Sequence, residues 1–253
     1  MVTQFIIFLL IFLRMLVAFV TSPIYGNTGV PVIVKVALAL IVSYIVFTFV
    51  DKGKIEVEIT IWFIFTNAVK EILTGAIMGF SIYLVFHAIS FAGSLMGYDM
   101  GLAMSEVFNP IDETNSNILG EFFHILAIFV FFLINGHHFI IEAVYHSLSV
   151  VPIGTFTLNE DVYLEIIKIG ASVFILAIKI ASPIMVSFFL VHLGEGILAR
   201  IIPQMQVYFV TYPVKIGLGI FLLIVSLPVY VYVIKNLLSM YEEKLFQLVQ
   251  LMA

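Results

Sequence analysis

The stretch Ile118-Leu-Gly-Glu-Phe-Phe-His-Ile-Leu-Ala-Ile-Phe-Val-Phe-Phe-Leu-Ile-Asn-Gly-His-His-Phe-Ile-Ile-Glu-Ala-Val-Tyr-His-Ser-Leu-Ser-Val-Val151 decides the fold. It is apolar almost throughout, yet Asn135-Gly136-His137-His138 interrupts it with a turn signal. Each half holds about 16 residues, or roughly 24 Å of helix, which falls short of the ~30 Å hydrocarbon core of a bilayer. The pair therefore reads as a helical hairpin packed inside protein rather than as two lipid-facing spans.

The rest of the chain is built in the same way. Of its 253 residues 62% are hydrophobic and 11% charged, with 25 Phe, and the mean hydropathy is +1.19. A soluble domain carries roughly 25% charged residues, so lipid or a protein-filled membrane layer must receive this surface. The net charge of −5 lacks the basic stripe that nucleic acid requires. With no Cys there are no disulfides, thiolate nucleophiles or Cys metal sites. The first apolar run has no basic n-region and is interrupted by Arg14, so it is expected to remain in the mature protein.

Helical segments are expected at about 5–22, 31–50, 59–98, 118–151, 163–199 and 207–238, in one integral-membrane domain covering 1–253. The fold class is all-α: long helices and helical hairpins. Pro23, Gly26, Asn27, Gly29 and Pro31 mark a turn between the first two segments. Segment 163–199 would run to roughly 55 Å unbroken. Pro183 near its middle is expected to kink or break it into a second hairpin. The stretch 97–117 carries Asp99, Glu106, Asp112 and Glu113 without Lys or Arg, which places it outside the cytoplasm. Arg200, Lys235 and Lys244 point to the cytoplasmic side by the same rule.

Arg14, Lys35, Lys70, Glu71, Lys179, Glu195 and Lys215 fall inside or beside apolar runs. Each charge at bilayer centre costs about 2.5–3.5 kcal/mol on insertion scales. They read as a polar pathway or as ion pairs between subunits, with snorkelling the ordinary explanation for Lys35 and Lys215. Gly75 and Gly79 form one GxxxG pair, and Gly93, Gly97 and Gly101 a longer ridge. Such ridges let helix backbones approach closely where lipid supplies no hydrophobic drive.

Gly97-Tyr-Asp-Met-Gly-Leu-Ala-Met-Ser-Glu-Val-Phe-Asn-Pro110 is the most unusual stretch. Met96, Met100 and Met104 are four apart and share one face of any helix there, which Asn109-Pro110 would end. They fit either a core stripe or a deformable gate of flexible thioethers. His138, Glu142 and His146 are also four apart, but their spacing departs from HExxH and no third ligand lies near, so no metal is expected. There is no Walker loop, GxSxG or paired-Asp protease signature. Neither an enzyme nor a cofactor site is expected.

Taken together, these features resemble the FliR family, membrane components of the flagellar type III export gate with a counterpart in virulence injectisomes. The resemblance begins with Arg14, Pro23, Pro31 and Lys35. It continues through Gly97-Tyr-Asp-Met-Gly-Leu-Ala-Met, Asn109-Pro110, Asn135-Gly136-His137 and Pro152-Ile-Gly154. Its most specific part is Ala181-Ser-Pro-Ile-Met185, then Ala199-Arg-Ile-Ile-Pro-Gln-Met-Gln206 and Pro213-Val-Lys-Ile-Gly-Leu-Gly219. Gln206 and His192 stand where the family commonly has Asn.

The resemblance implies a subunit of a helical complex with FliP and FliQ. FlhB would wrap the cytoplasmic entrance, and FlhA and the basal-body ring would lie around the complex. The complex would sit in the inner membrane and pass unfolded flagellar proteins. It also implies that the region 97–117 plugs the channel, making Met96, Met100, Met104, Phe108, Asn109 and Pro110 gate candidates. Arg200, Pro203 and Gln204 would lie near the cytoplasmic entrance. Two other readings remain beside it: an injectisome homologue, and a secondary transporter suggested by intramembrane charges and Pro-broken helices.

Overall fold

A computed structural model describes residues 2–27, 29–50, 60–102, 117–204 and 206–252. Seven α-helices account for most of these residues, and no strand occurs among them. They are α1 (Val2–Thr21), α2 (Val32–Phe49), α3 (Ile61–Asp99), α4 (Ile118–Leu133), α5 (Gly136–Val150), α6 (Glu160–Ile201) and α7 (Val207–Leu251). Five helices are long and apolar enough to cross a membrane, or six spans if α4 and α5 count as one broken span. The protein is an all-α, multi-segment membrane protein.

The chain forms two units, each assembled from separated stretches. The first comprises Met1–Val85, Phe131–Ala171 and Leu238–Ala253. Here α1 packs on α2, with Phe8 edge-on to Phe47 at 5.8 Å. The buried positions of α1 (Ile6, Ile7, Leu10, Ile11, Arg14, Met15, Ala18 and Phe19) recur with helical period and make one stripe. Between α1 and α2 the chain doubles back so tightly that a Cβ on Gly26 would meet the Val20 carbonyl oxygen at 2.2 Å. The Lys35 ammonium donates to the Gly26 carbonyl at 2.9 Å, closing the turn.

Along α3 the first glycine pair serves α1: a Cβ on Gly75 would lie 2.4 Å from the Arg14 carbonyl oxygen, and one on Gly79 2.7 Å from that of Ala18. Only bare backbone allows this approach. Asn159 links distant helix ends. Its Oδ1 accepts from the Val162 N–H at 3.3 Å, and its Nδ2 donates to the Leu251 carbonyl at 3.1 Å.

The second unit comprises Phe86–Val130 and Ser172–Leu237. Asn117 caps α4 through the Leu119 N–H at 3.0 Å. A Cβ on Gly93 would meet the Leu119 carbonyl at 2.4 Å, one on Gly120 the Ser94 hydroxyl at 2.4 Å, and one on Gly97 the Asn117 side chain at 2.2 Å. The second glycine ridge is thus the contact between α3 and α4.

Two expectations need correction. First, Pro183 does not break α6, which runs unbroken over 42 residues with Pro183 inside, so no second hairpin forms. The missing proline N–H would orphan the carbonyl four residues earlier, that of Lys179. The Ser182 hydroxyl donates to that carbonyl at 2.9 Å, and the Ser187 hydroxyl donates to the Pro183 carbonyl at 2.9 Å.

Second, the helix carrying Met96 and Met100 does not run on to Asn109-Pro110. It ends in a Schellman cap, with Gly101 at φ +84°. The Leu102 N–H bonds to the Gly97 carbonyl at 2.9 Å and the Gly101 N–H to that of Tyr98 at 3.0 Å. Gly101 is the helix stop of α3. Met104, Phe108, Asn109 and Pro110 lie outside the described residues.

The hairpin turn falls at Asn135, whose φ of +60° puts it in the left-handed region before α5 begins at Gly136. Phe131 lies over Gly136, where a Cβ would come within 2.3 Å of its ring.

Candidate functional site

Two ion networks are built from the charges that interrupt the apolar runs. In the first unit, Arg14 and Glu71 are both fully buried and meet at 2.5 Å through Nε and Oε2. The rest of the guanidinium is also satisfied. Nη1 donates to the Ser147 hydroxyl and the Val151 carbonyl, and Nη2 donates to the same carbonyl, each at 3.1 Å. Glu71 Oε1 accepts from the Gly154 N–H at 3.0 Å, while the Lys70 ammonium donates to the Gly154 carbonyl at 2.7 Å.

Gly154 adopts φ +82°, and a Cβ there would strike the Asn67 side chain at 2.5 Å. Charges on α1 and α3 thereby hold the connection between α5 and α6 by its backbone. Planar bidentate donors such as guanidinium suit this work, because one group reaches a carboxylate and a carbonyl together.

In the second unit, Glu195 on α6 and Lys215 on α7 meet at 2.8 Å. Both are largely buried. His192 Nδ1 lies 3.1 Å from Glu195 Oε2 and 3.3 Å from Lys215 Nζ. The pair ties α6 to α7 and leaves Lys215 engaged within the chain rather than snorkelling.

Next to this, Met96 and Met100 are fully buried. Tyr230 donates its hydroxyl to Met96 Sδ at 3.5 Å and sets its ring edge-on to Phe123 at 5.2 Å. Met100 packs against Gly219, and Tyr212 covers Gly101. In this conformation the two thioethers fill core space between α3 and α7.

Arg14, Lys35, Lys70, Glu71, Glu195 and Lys215 all find partners inside their own chain. The expectation that buried ions here demand another subunit therefore does not hold for them. Arg200, Pro203 and Gln204 are exposed. Lys179 is exposed in the middle of α6. The His138, Glu142 and His146 series does not converge. His146 instead faces the Phe246 ring at 5.2 Å, and no cluster of three or more metal-ligating side chains occurs among the described residues. Sequence reasoning missed Asn67, Ser147 and the Val151 carbonyl. Only Pro152-Ile-Gly154 hinted at that corner.

Fold and site together define a multi-pass, all-α membrane protein whose interior charges staple helix to helix. The sequence pattern of bacterial export proteins, family 1, matches residues 5–241, and the chain belongs to this family. It is 31% identical over 247 residues to flagellar biosynthetic protein FliR of Bacillus subtilis (strain 168), covering 96% of this chain and 95% of that one. It is 30% identical over 237 residues to the FliR of Aquifex aeolicus (strain VF5), with 92% and 90% covered. To that of Escherichia coli (strain K12) it is 28% identical over 216 residues, with 85% and 82% covered.

Proposed function

We propose that this chain is a non-enzymatic subunit of the flagellar type III protein export gate in the inner membrane. It assembles with FliP and FliQ, with FlhB and FlhA alongside and the basal-body ring around them, into a conduit for unfolded flagellar proteins. Family membership and the FliR relatives support the flagellar export reading.

One observation carries the assembly. Within the second unit, α7 leaves Phe209, Val214, Ile220, Phe221, Ile224 and Val225 uncovered, and its one charge between residues 207 and 234, Lys215, is buried. Residues 207 to 234 span about 40 Å of helix, longer than the ~30 Å that lipid tails can cover. Only 11% of the most apolar stretch of α7 is buried. A helix that stays apolar beyond the reach of lipid needs protein neighbours.

The gate role belongs to the segment 97–117, with Met104, Phe108, Asn109 and Pro110 closing the passage, and rests on the family resemblance. Purification of the tagged chain in mild detergent from cells making FliP and FliQ tests the reading. A mixed particle containing small helical membrane subunits is expected. Recovery from those same cells with no such subunit bound would overturn it.

A further inference from the structure

We infer that the Lys179 face of α6 docks a membrane helix of another subunit that presents an Asp or Glu carboxylate to the Lys179 ammonium. The inference rests on the export-gate reading above, since it names the chemistry of one neighbour in that assembly.

Ile175, Lys179, Val186, Leu190, Leu193 and Ile197 recur at intervals of three, four or seven and so share one face. The apolar members are 56, 62, 64, 51 and 62% exposed. All belong to one unit. This is an apolar seam about 33 Å long with a single charge in it.

That charge is unspent. Lys35, Lys70 and Lys215 each reach a carbonyl or carboxylate of their own chain, whereas the Lys179 ammonium has no such partner among the described residues. The neighbouring polar groups are already used. Ser182 donates to the Lys179 carbonyl and Ser187 to that of Pro183, so the turn offers a visiting helix one unmet polar group, the ammonium.

A lipid phosphate is the competing anion, and the flanks of Lys179 disfavour it. A headgroup layer at Lys179 would leave Phe174, Ile175 and Ile178, all more than half exposed, on its watery side. Shifting the bilayer to cover them places the ammonium in hydrocarbon, where an unpaired charge costs about 2.5–3.5 kcal/mol. A protein helix with apolar flanks and one carboxylate satisfies both requirements.

The test uses the tagged chain produced with its partners. Lys179→Arg should keep partner recovery near the wild-type level. Lys179→Met should lower it about tenfold by leaving the facing carboxylate unpaired. Lys179→Glu should abolish it, and an Asp/Glu→Lys change in the neighbour that cross-links to Ile175→Cys or Val186→Cys should restore it. The isolated chain should melt at the same temperature in all three variants, since the Lys179 ammonium has no hydrogen-bond or ion-pair partner among the described residues.

Wild-type recovery by both Lys179→Met and Lys179→Glu would sink the inference and leave the export-gate reading intact. A wild-type chain recovered alone would sink both. If Lys179→Met keeps its partners but loses binding to vesicles containing phosphatidylglycerol, the ammonium holds a headgroup and the inference is wrong.

Discussion

Arg14 and Glu71 offer the most demanding test of the structure. Arg14→Ala would strand the Glu71 carboxylate, which is fully buried, and orphan the Val151 carbonyl that takes two guanidinium bonds. Removing one partner of a buried ion pair costs about 3–5 kcal/mol, and Glu71→Ala should cost a similar amount by stranding Arg14. If the two costs were independent, the double variant would lose at least about 6 kcal/mol.

Arg14→Met with Glu71→Leu replaces charge by apolar volume. It leaves mainly the Val151 carbonyl and the Gly154 N–H without partners, at about 1–3 kcal/mol each, offset by the roughly 1–4 kcal/mol that apolar replacement of a buried ion pair can return. The double variant should therefore be more stable than Arg14→Met or Glu71→Leu alone, with a coupling of about 3 kcal/mol. Thermal unfolding of the purified chain in mild detergent, followed by near-ultraviolet circular dichroism, reads this order. Single variants costing under about 1 kcal/mol, or costs that simply add, would refute the network as drawn.

Other expectations follow from close approaches and from the gate segment. Gly75→Ala forces a methyl onto the Arg14 carbonyl, 2.4 Å away, and should cost about 1–3 kcal/mol by overpacking. Gly217→Ala meets nothing within 4 Å and should stabilise the isolated chain by about 0.5–1 kcal/mol through helix propensity. The same melting assay reads both. Deleting residues 105–115 should leave the complex assembled but permeable to ions. A normal ion barrier in cells carrying that deletion would remove the segment from the gate.

The sequence displays those parts of the fold whose cause is local. Asn135-Gly136 announces a turn because a left-handed residue needs Asn or Gly chemistry, and the chain turns there. The Gly75/Gly79 and Gly93/Gly97 pairs announce close helix contacts, and the structure shows the carbonyls and side chains that fill the gaps.

Features whose cause is a neighbour read wrongly. Pro183 looks like a break until the Ser182 hydroxyl is seen bonded to the orphaned Lys179 carbonyl. The Met96, Met100, Met104 series looks like one helical face, because spacing does not reveal that Gly101 closes the helix first. Arg14, Lys70 and Glu71 read as unmet because their partners are backbone groups and side chains 57 to 137 residues away. Lys179 differs in that no such partner arrives among the described residues.

That separation also bears on how the protein is made. Arg14 enters the membrane in the first helix, yet the Val151 carbonyl that receives two of its bonds is 137 residues downstream. At roughly 5–20 residues per second of synthesis, the guanidinium waits about 7–27 s for that acceptor. Until Glu71 follows, 57 residues and about 3–11 s behind, the nascent chain holds a naked cation in an apolar hairpin, a state that the insertion machinery must shelter or keep near water. Biogenesis, more than the finished fold, is therefore where Arg14 weighs most heavily on the cell.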